Sequence, residues 1–491
     1  MRCPERDHRG TARRMGVIFA AWALALVSAC TSVASQLPGT AMNDVPAAWS
    51  AHADILAPGT AELAQWWLRF DDPMLSRLIA QALLTNTSVV GAQAALRQAR
   101  ALRDVSAAAL RPAMLASASA QHGAGGGNDS GKRFAARLDA SWELDLFGAQ
   151  RSALAASAAA AAASAASLAD VQVSVCAEVA INYIAMRGAQ ARLALARANL
   201  ASQQTTFDIT RWRLQAGLVS ELEFEQARAA VAQTRAQLPA FQSSIEQLGH
   251  ALAGLAGRPP AALASALAEA GPVPQAGESL ALRIPADTLR QRPDVRAAEH
   301  LVALAMARVA QANAARLPDF RLAGSLGLSG RTLGALSGGA ALAGTVLAGM
   351  AAPWFDGGAL RAQVRMQQGA RDMALAAYRA SVLNALTEVE DALVALRSDR
   401  ERQARLRLAA AAAANAARLA RQWFSSGIVD FQVVLDTQRT QLSTQDGVVS
   451  AGIDVSTDHV RLYKALGGGW NPQAQDATTT PAAAPTSADR Q

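Results

Sequence analysis

Cysteine, aromatic side chains and long apolar runs are all scarce in this chain of 491 residues. The three cysteines, Cys3, Cys30 and Cys176, leave no paired framework once an N-terminal segment is removed, so disulfides do not staple the fold. The six histidines (His8, His52, His122, His250, His300 and His459) are scattered without ligand spacing, and no metal or cofactor is expected. Aromatics are 5% of the chain against 51% hydrophobic residues, and much of that 51% is alanine. A thick globular core is therefore not available. Alanine instead suits closely packed helices, because it loses no side-chain entropy on ordering. The formal net charge is +7, but the arginines are spread along helical stretches between Ala, Gln and Glu. No aromatic–basic cluster appears, which argues against a nucleic-acid partner.

Signs of catalysis are missing too. Gly126-Gly127-Asn128-Asp129-Ser130-Gly131-Lys132 comes close to a phosphate-binding loop. Arg133 stands where a Ser or Thr should hold magnesium, and a strand follows where a helix is required. There is no Gly-x-Ser-x-Gly elbow and no plausible carboxylate pair. The chain is read as a non-enzyme.

What the chain does contain is a plan used twice. Ser141-Trp142-Glu143-Leu144-Asp145-Leu146-Phe147-Gly148 closes an alternating stretch. Behind it, Gln150 to about Arg213 is nearly free of Gly and Pro and predicts one helix about 100 Å long at roughly 1.5 Å per residue. That helix stops near Gly217. Later, Pro353-Trp354-Phe355-Asp356-Gly357-Gly358 leads into a second long helix that stops at Gly427. Gly148 and Gly358 stand 210 apart, as do Gly217 and Gly427. Equal offsets around different residues argue for an internal duplication. Pro112 and Pro318, which break the preceding helices, stand 206 apart.

In order, residues 1–29 read as a signal peptide. Arg2, Arg9, Arg13 and Arg14 supply its basic start, and Val17 to Val27 an apolar stretch too short to span a bilayer. It runs into Val27-Ser28-Ala29-Cys30, which resembles a bacterial lipobox and would make Cys30 a lipidated first residue; the alternative is an ordinary cleavage site beside a chance cysteine. Residues 30–73 form an anchor and lead. The first copy spans 74–256: a helical pattern from Met74 to Leu110, a β-hairpin at 113–144, a long helix at 149–213 and a return helix at 219–256. A Pro- and Gly-rich connector covers 257–293. The second copy spans 294–466, with a hairpin at 319–351, a long helix at 359–424 and a return helix at 430–466. Residues 467–491 read as a disordered tail. In the second long helix, Leu375, Tyr378, Val382, Val389, Leu393 and Leu396 follow a heptad, the pattern of near-parallel neighbours.

The hairpins alternate. Phe134, Ala136, Leu138, Ala140, Trp142 and Leu144 share one face, and Arg133, Arg137, Asp139, Ser141 and Glu143 the other. At about ten residues per strand this fits a transmembrane barrel, with a soluble sandwich edge as the alternative. Four strands cannot close a barrel, and open edges are not tolerated in lipid. Three copies would give twelve strands, an even number as bacterial barrels prefer.

These features together resemble the TolC family of outer-membrane factors, in particular its lipoprotein branch of the NodT and OprM type. The residues that carry the likeness are Cys30, Trp67-Leu68-Arg69-Phe70-Asp71-Asp72-Pro73, and Ala286-Asp287-Thr288-Leu289-Arg290-Gln291-Arg292-Pro293-Asp294-Val295, with the two copies around them. The resemblance implies a mixed α and β membrane protein. Each chain would give four strands to a trimeric 12-stranded outer-membrane β-barrel, continuous with a long α-helical periplasmic barrel. It implies a homotrimer in outer-membrane lipid and a passive duct for small molecules, fed by an inner-membrane pump of the RND type through a periplasmic adaptor (a membrane fusion protein). It places Arg213, Gly217, Leu218, Ser220, Phe424 and Gly427 at an adaptor-contacting tip, where helix capping alone is the bland alternative. It places Val433 and Asp436 at the channel aperture, where Asp436 is otherwise a solvated helix-face charge. Two other functions stay open: the outer-membrane component of type I protein secretion, and a structural outer-membrane lipoprotein.

Overall fold

The computed structural model describes residues 63–123, 131–277, 289, 291–336 and 342–470. The signal peptide, Cys30, most of the Gly126–Lys132 loop, Ala286 to Thr288 and residues 471–491 lie outside them.

Trp66–Phe70 forms a 3-10 turn that opens the described chain. Trp66 is buried and stacks on Tyr463 with ring centroids 5.3 Å apart. Asp72 then caps α1 (Pro73–Thr85), its carboxylate accepting from the Met74 and Leu75 amides at 2.8 and 2.9 Å, with Pro73 at the first helical position. The single helix expected from Met74 to Leu110 is broken. Asn86 leaves helical geometry, and its side chain accepts from the Ser88 and Val89 amides to start α2 (Thr87–Ala108). Its amide group also donates to the Leu255 carbonyl at 2.9 Å. The break thus depends on a residue 169 positions away.

Next come β1 (Ala113–Gly123), β2 (Gly131–Leu144), α3 (Ala149–Gln215) and α4 (Glu221–Leu255). The second copy supplies α5 (Pro293–Ala314), β3 (Asp319–Gly330), β4 (Leu342–Ala351), α6 (Ala359–Ser425) and α7 (Phe431–Ala465). The duplication is literal in the helices: α3 and α6 have 67 residues each, and α4 and α7 have 35 each. Gly148 and Gly358 precede the long helices at φ +80° and +89°, a conformation that costs a side-chain-bearing residue about 1 kcal/mol or more.

The strands form one sheet in the order β1-β2-β3-β4, antiparallel throughout. Register places Leu138 opposite Leu326, and Leu326 opposite Gly344. Residues opposite one another share a face. One face therefore carries Met114, Leu138, Trp142, Leu322, Val346 and Met350, most of them exposed in the single chain. The other carries Ser117, Arg137, Glu143, Arg321 and Thr345. Leu115 and Leu347 are exceptions on this polar side. The weakly alternating β4 takes its register from β3, where Ser325 and Thr345 hydroxyls meet at 2.7 Å.

Helices continue the same row. Near the sheet, α2 packs on α3, α3 on α5 and α5 on α6; beyond, α4 packs on α3, α3 on α7 and α7 on α6. The heptad residues Val382, Val389, Leu393 and Leu396 are buried as expected. Leu289 and Val295 join Val382 and Ala385 in one cluster. Arg292 between them forks onto both oxygens of Asp294 at 3.0 and 2.7 Å, pairs with Glu388 at 2.7 Å and donates to the Ala465 carbonyl. The tail begins later than expected. Gly469 donates to the Leu63 carbonyl, and Trp470 buries against Ala169 and Val173, so residues 467–470 are packed rather than disordered.

A buried carboxyl sits in the α6–α7 seam. Asp458 is 1% exposed. Burial and the neighbouring Asp399 push its carboxyl up to about 6. Its folded pKa exceeds the ordinary value near 3.8, so folding takes up a proton. That contribution is complete below about pH 4 and is lost as pH rises through about 6. The melting temperature of the wild type relative to that of Asp458→Asn is expected to be higher at pH 5 than at pH 8. An equal difference at the two pH values would place the pH dependence elsewhere. Adjacent His459 acts in the opposite sense: burial holds it down to about 4 from an ordinary 6.5, so stability falls as pH drops below 6.5, and the comparison with Asp458→Asn isolates the carboxyl.

Candidate functional site

The two turns at the far end of the helices are built alike. At the end of α3, the Gly217 amide donates to Leu214 at 2.9 Å and the Leu218 amide to Arg213 at 2.8 Å. At the end of α6, Gly427 donates to Phe424 at 3.0 Å and Ile428 to Trp423 at 2.9 Å. Both are the paired closure that needs a left-handed residue just past the helix end, and Gly217 and Gly427 supply it at φ +70° and +77°. The next residue on each turn is thrust outward: Leu218 is 71% exposed and Ile428 69%. Ser220 then starts α4 with a reciprocal cap, its backbone amide donating to Glu223 at 2.8 Å and its hydroxyl accepting from the Glu223 amide.

Arg213 and Phe424 play a different part within the chain. Phe424 is buried, packed on Phe431 at 5.5 Å and in a cluster with Val434 and Leu435. The Arg213 guanidinium lies 4.5 Å over the Phe424 ring and donates to its carbonyl at 3.0 Å. This pair ties the first turn to the second. Three further polar contacts join the α6–α7 hairpin to α3: Arg421 to Ser202, Gln438 to Thr206 at 3.1 Å, and Arg192 to Asp446 at 3.0 Å. The last lies in a cleft of about 490 Å³ between α3, α4 and α7.

On α7, Phe431, Val434 and Leu435 are buried and anchor the helix. Val433 and Asp436 lie on the opposite, exposed side. Asp436 is not a lone charge. Gln432 donates to its two oxygens at 3.1 and 3.2 Å, and Arg439 lies 3.8 Å away one turn on. Sequence reasoning missed both Ile428 and Arg439. The offset of 210 maps Leu218 onto Ile428, and helical spacing puts Arg439 beside Asp436. Among the described residues no cluster of His, Cys, Asp and Glu could hold a metal ion.

The description of one family, the outer membrane efflux proteins, matches residues 78–258 and 284–468, one span in each copy. The chain belongs to the outer membrane efflux protein family. Among relatives of this family, the pyoverdine export outer membrane protein OpmQ of Pseudomonas putida is 31% identical over 438 residues, covering 87% of this chain and 92% of OpmQ. The toluene efflux pump outer membrane protein TtgF of Pseudomonas putida is 31% identical over 418 residues, covering 84% and 86%. The solved outer-membrane channel OprN superposes with a TM-score of 0.80 at 35% identity, covering 87% of this chain and 99% of that one. The fold is the one the sequence predicts: four strands given to a trimeric β-barrel, continuous with an α-helical barrel. The protein is an outer-membrane efflux channel that reaches into the periplasm.

Proposed function

We propose that three copies form a passive exit duct for small molecules, with no catalytic step, in a tripartite system with an inner-membrane pump and a periplasmic adaptor. A lipidated Cys30 adds a second membrane anchor to the strands. One observation carries the docking assignment: the two turns, built with the same hydrogen bonds, each present one apolar side chain to solvent. Threefold repetition of Leu218 and Ile428 makes six such knobs around the tip, a spacing suited to a partner with repeated apolar grooves. Gly217, Gly427 and Ser220 shape the turns. Arg213 and Phe424 set their separation, so they act on the adaptor through the turns' positions.

The named cargo of two relatives, pyoverdine and toluene, differs widely in polarity. Ducts of this family thus serve cargoes of both kinds, and cargo selection in this system is assigned to the pump. Export of small molecules by these relatives favours efflux over type I protein secretion. Val433 and Asp436 narrow the closed end, with Arg439 offsetting the carboxylate.

Docking is tested by Leu218→Asp with Ile428→Asp. The pair is expected to raise steady-state accumulation of an effluxed dye several-fold in cells, while trimer in the outer membrane stays at the wild-type amount. Wild-type accumulation in the double variant would remove these side chains from the docking surface.

A further inference from the structure

Strand β2 runs to Leu144, but its counterpart β4 stops at Ala351. The duplication explains the difference. Helices α2 and α5 end at Ala108 and Ala314, and strands β1 and β3 begin at Ala113 and Asp319, all 206 apart. The long helices begin 210 apart, at Ala149 and Ala359. Hairpin registers obey both offsets. The first hairpin pairs Ala113 with Ser141; moving these by 206 and 210 gives Asp319 with Ala351, the pair observed in the second.

In the first copy, Trp142, Glu143 and Leu144 extend past β1 because they pair with β3, opposite Leu322, Arg321 and Phe320. Their counterparts at the offset of 210 are Ala352, Pro353 and Trp354. Among the described residues no strand of this chain lies beyond β4. Trp354 is 101% exposed and Phe355 90%.

We propose that β4 pairs with β1 of a second copy of this chain in the register that β2 uses with β3, so that Trp354 stands opposite Met114 and Met350 opposite Ala118. The transfer is direct: Leu144 opposite Phe320 becomes Trp354 opposite Met114. The proposal rests on the trimeric arrangement and adds to it which residues meet at the seam. Two features support it. First, Met114, Ala118 and Met350 all belong to the apolar face of the sheet, and Trp354 would join it if the alternation of β4 ran on three residues, whereas a slip of one residue would oppose apolar to polar faces. Second, α2 and α6 end the helix row as β1 and β4 end the sheet. A slip of two residues would displace the strands by about 7 Å relative to those helices. Pro353 lies at the end of the strand, where a missing backbone donor is tolerated.

Cysteine pairs in the assembled protein test this, with copper–phenanthroline as oxidant. Met350→Cys with Ala118→Cys is expected to give a covalent ladder up to three chains on non-reducing gels. Met350→Cys with Ala116→Cys or Ala120→Cys should react about tenfold more slowly, because disulfides need close, aligned Cβ atoms. Trp354→Cys with Met114→Cys is a second matched pair. Faster reaction at Ala116 or Ala120 would overturn the register, as would a trimer intact on native gels that none of the pairs cross-links. Absence of a trimer on native gels for the protein without introduced cysteines would instead overturn the trimeric arrangement, and the register with it.

Discussion

Asp436→Ala is expected to turn the aperture from weakly polar to positively charged, and Arg439→Ala to do the opposite. The two side chains face each other across one helical turn at 3.8 Å, both largely exposed. An exposed pair of this kind adds little stability, about 0–1 kcal/mol, so neither change should disturb assembly. Its effect is on ions. If Asp436 lines the aperture as proposed, threefold repetition puts three carboxylates and three guanidinium groups around the axis, nearly balanced. Removing the carboxylates leaves three positive charges that repel cations; removing the guanidinium groups leaves a carboxylate ring that attracts and holds them. In planar bilayers, Asp436→Ala should shift the reversal potential in a salt gradient toward anion preference and weaken block by multivalent cations. Arg439→Ala should shift it toward cations and strengthen the block. Shifts of the same sign, or none, would take this pair off the conduction path.

Arg292→Leu is expected to be the most destabilising single change in the helical part of the chain. The guanidinium is buried, and it serves Asp294, Glu388 and the Ala465 carbonyl together. Breaking a buried pair by removing one partner typically costs about 3–5 kcal/mol, because the remaining charge is left uncompensated. Here several acids are left. Nearby Asp170 is already pushed above the usual carboxylate range by burial and by Asp294, with Lys464 and Arg292 acting against the shift. With Arg292 gone, ionising these carboxyls opposes folding, so the variant should lose more stability at pH 8 than at pH 5. Arg292→Lys should recover only part of the loss, since an ammonium cannot fork onto both oxygens of Asp294. The temperature at which the trimer collapses on SDS gels reports both effects. A wild-type collapse temperature for Arg292→Leu would mean that this cluster is not a structural joint.

Much of this architecture is written in local signals. Gly148, Gly217, Gly358 and Gly427 mark helix ends by backbone conformation, which needs no knowledge of the rest of the fold. The alternation of Phe134 to Leu144 settles the strand faces, and the offset of 210 ties the two halves together. What stayed hidden depends on partners distant in sequence. Asn86 sits in an apolar pattern that runs on through it; it caps α2 locally, and its donation to the distant Leu255 carbonyl fixes it as a break. Trp470 is a lone aromatic in a Gly- and Pro-rich tail until Val173 covers it. Tyr183 donates to Asp72 at 2.9 Å and accepts from Arg187, joining the lead to the long helix through residues with no shared motif. At the tip, Phe424 belongs to a recognisable pattern, but its burial under Arg213 follows only from the packing of the two turns.

A single chain has a sheet with two open edges and an apolar face bare to its surroundings. Its stability and its pore both depend on other copies. The mass of the detergent-purified protein, measured by native mass spectrometry after the micelle is stripped, tests this most directly. Three chains per particle is the predicted result; a particle of one chain, stable without detergent, would contradict the account.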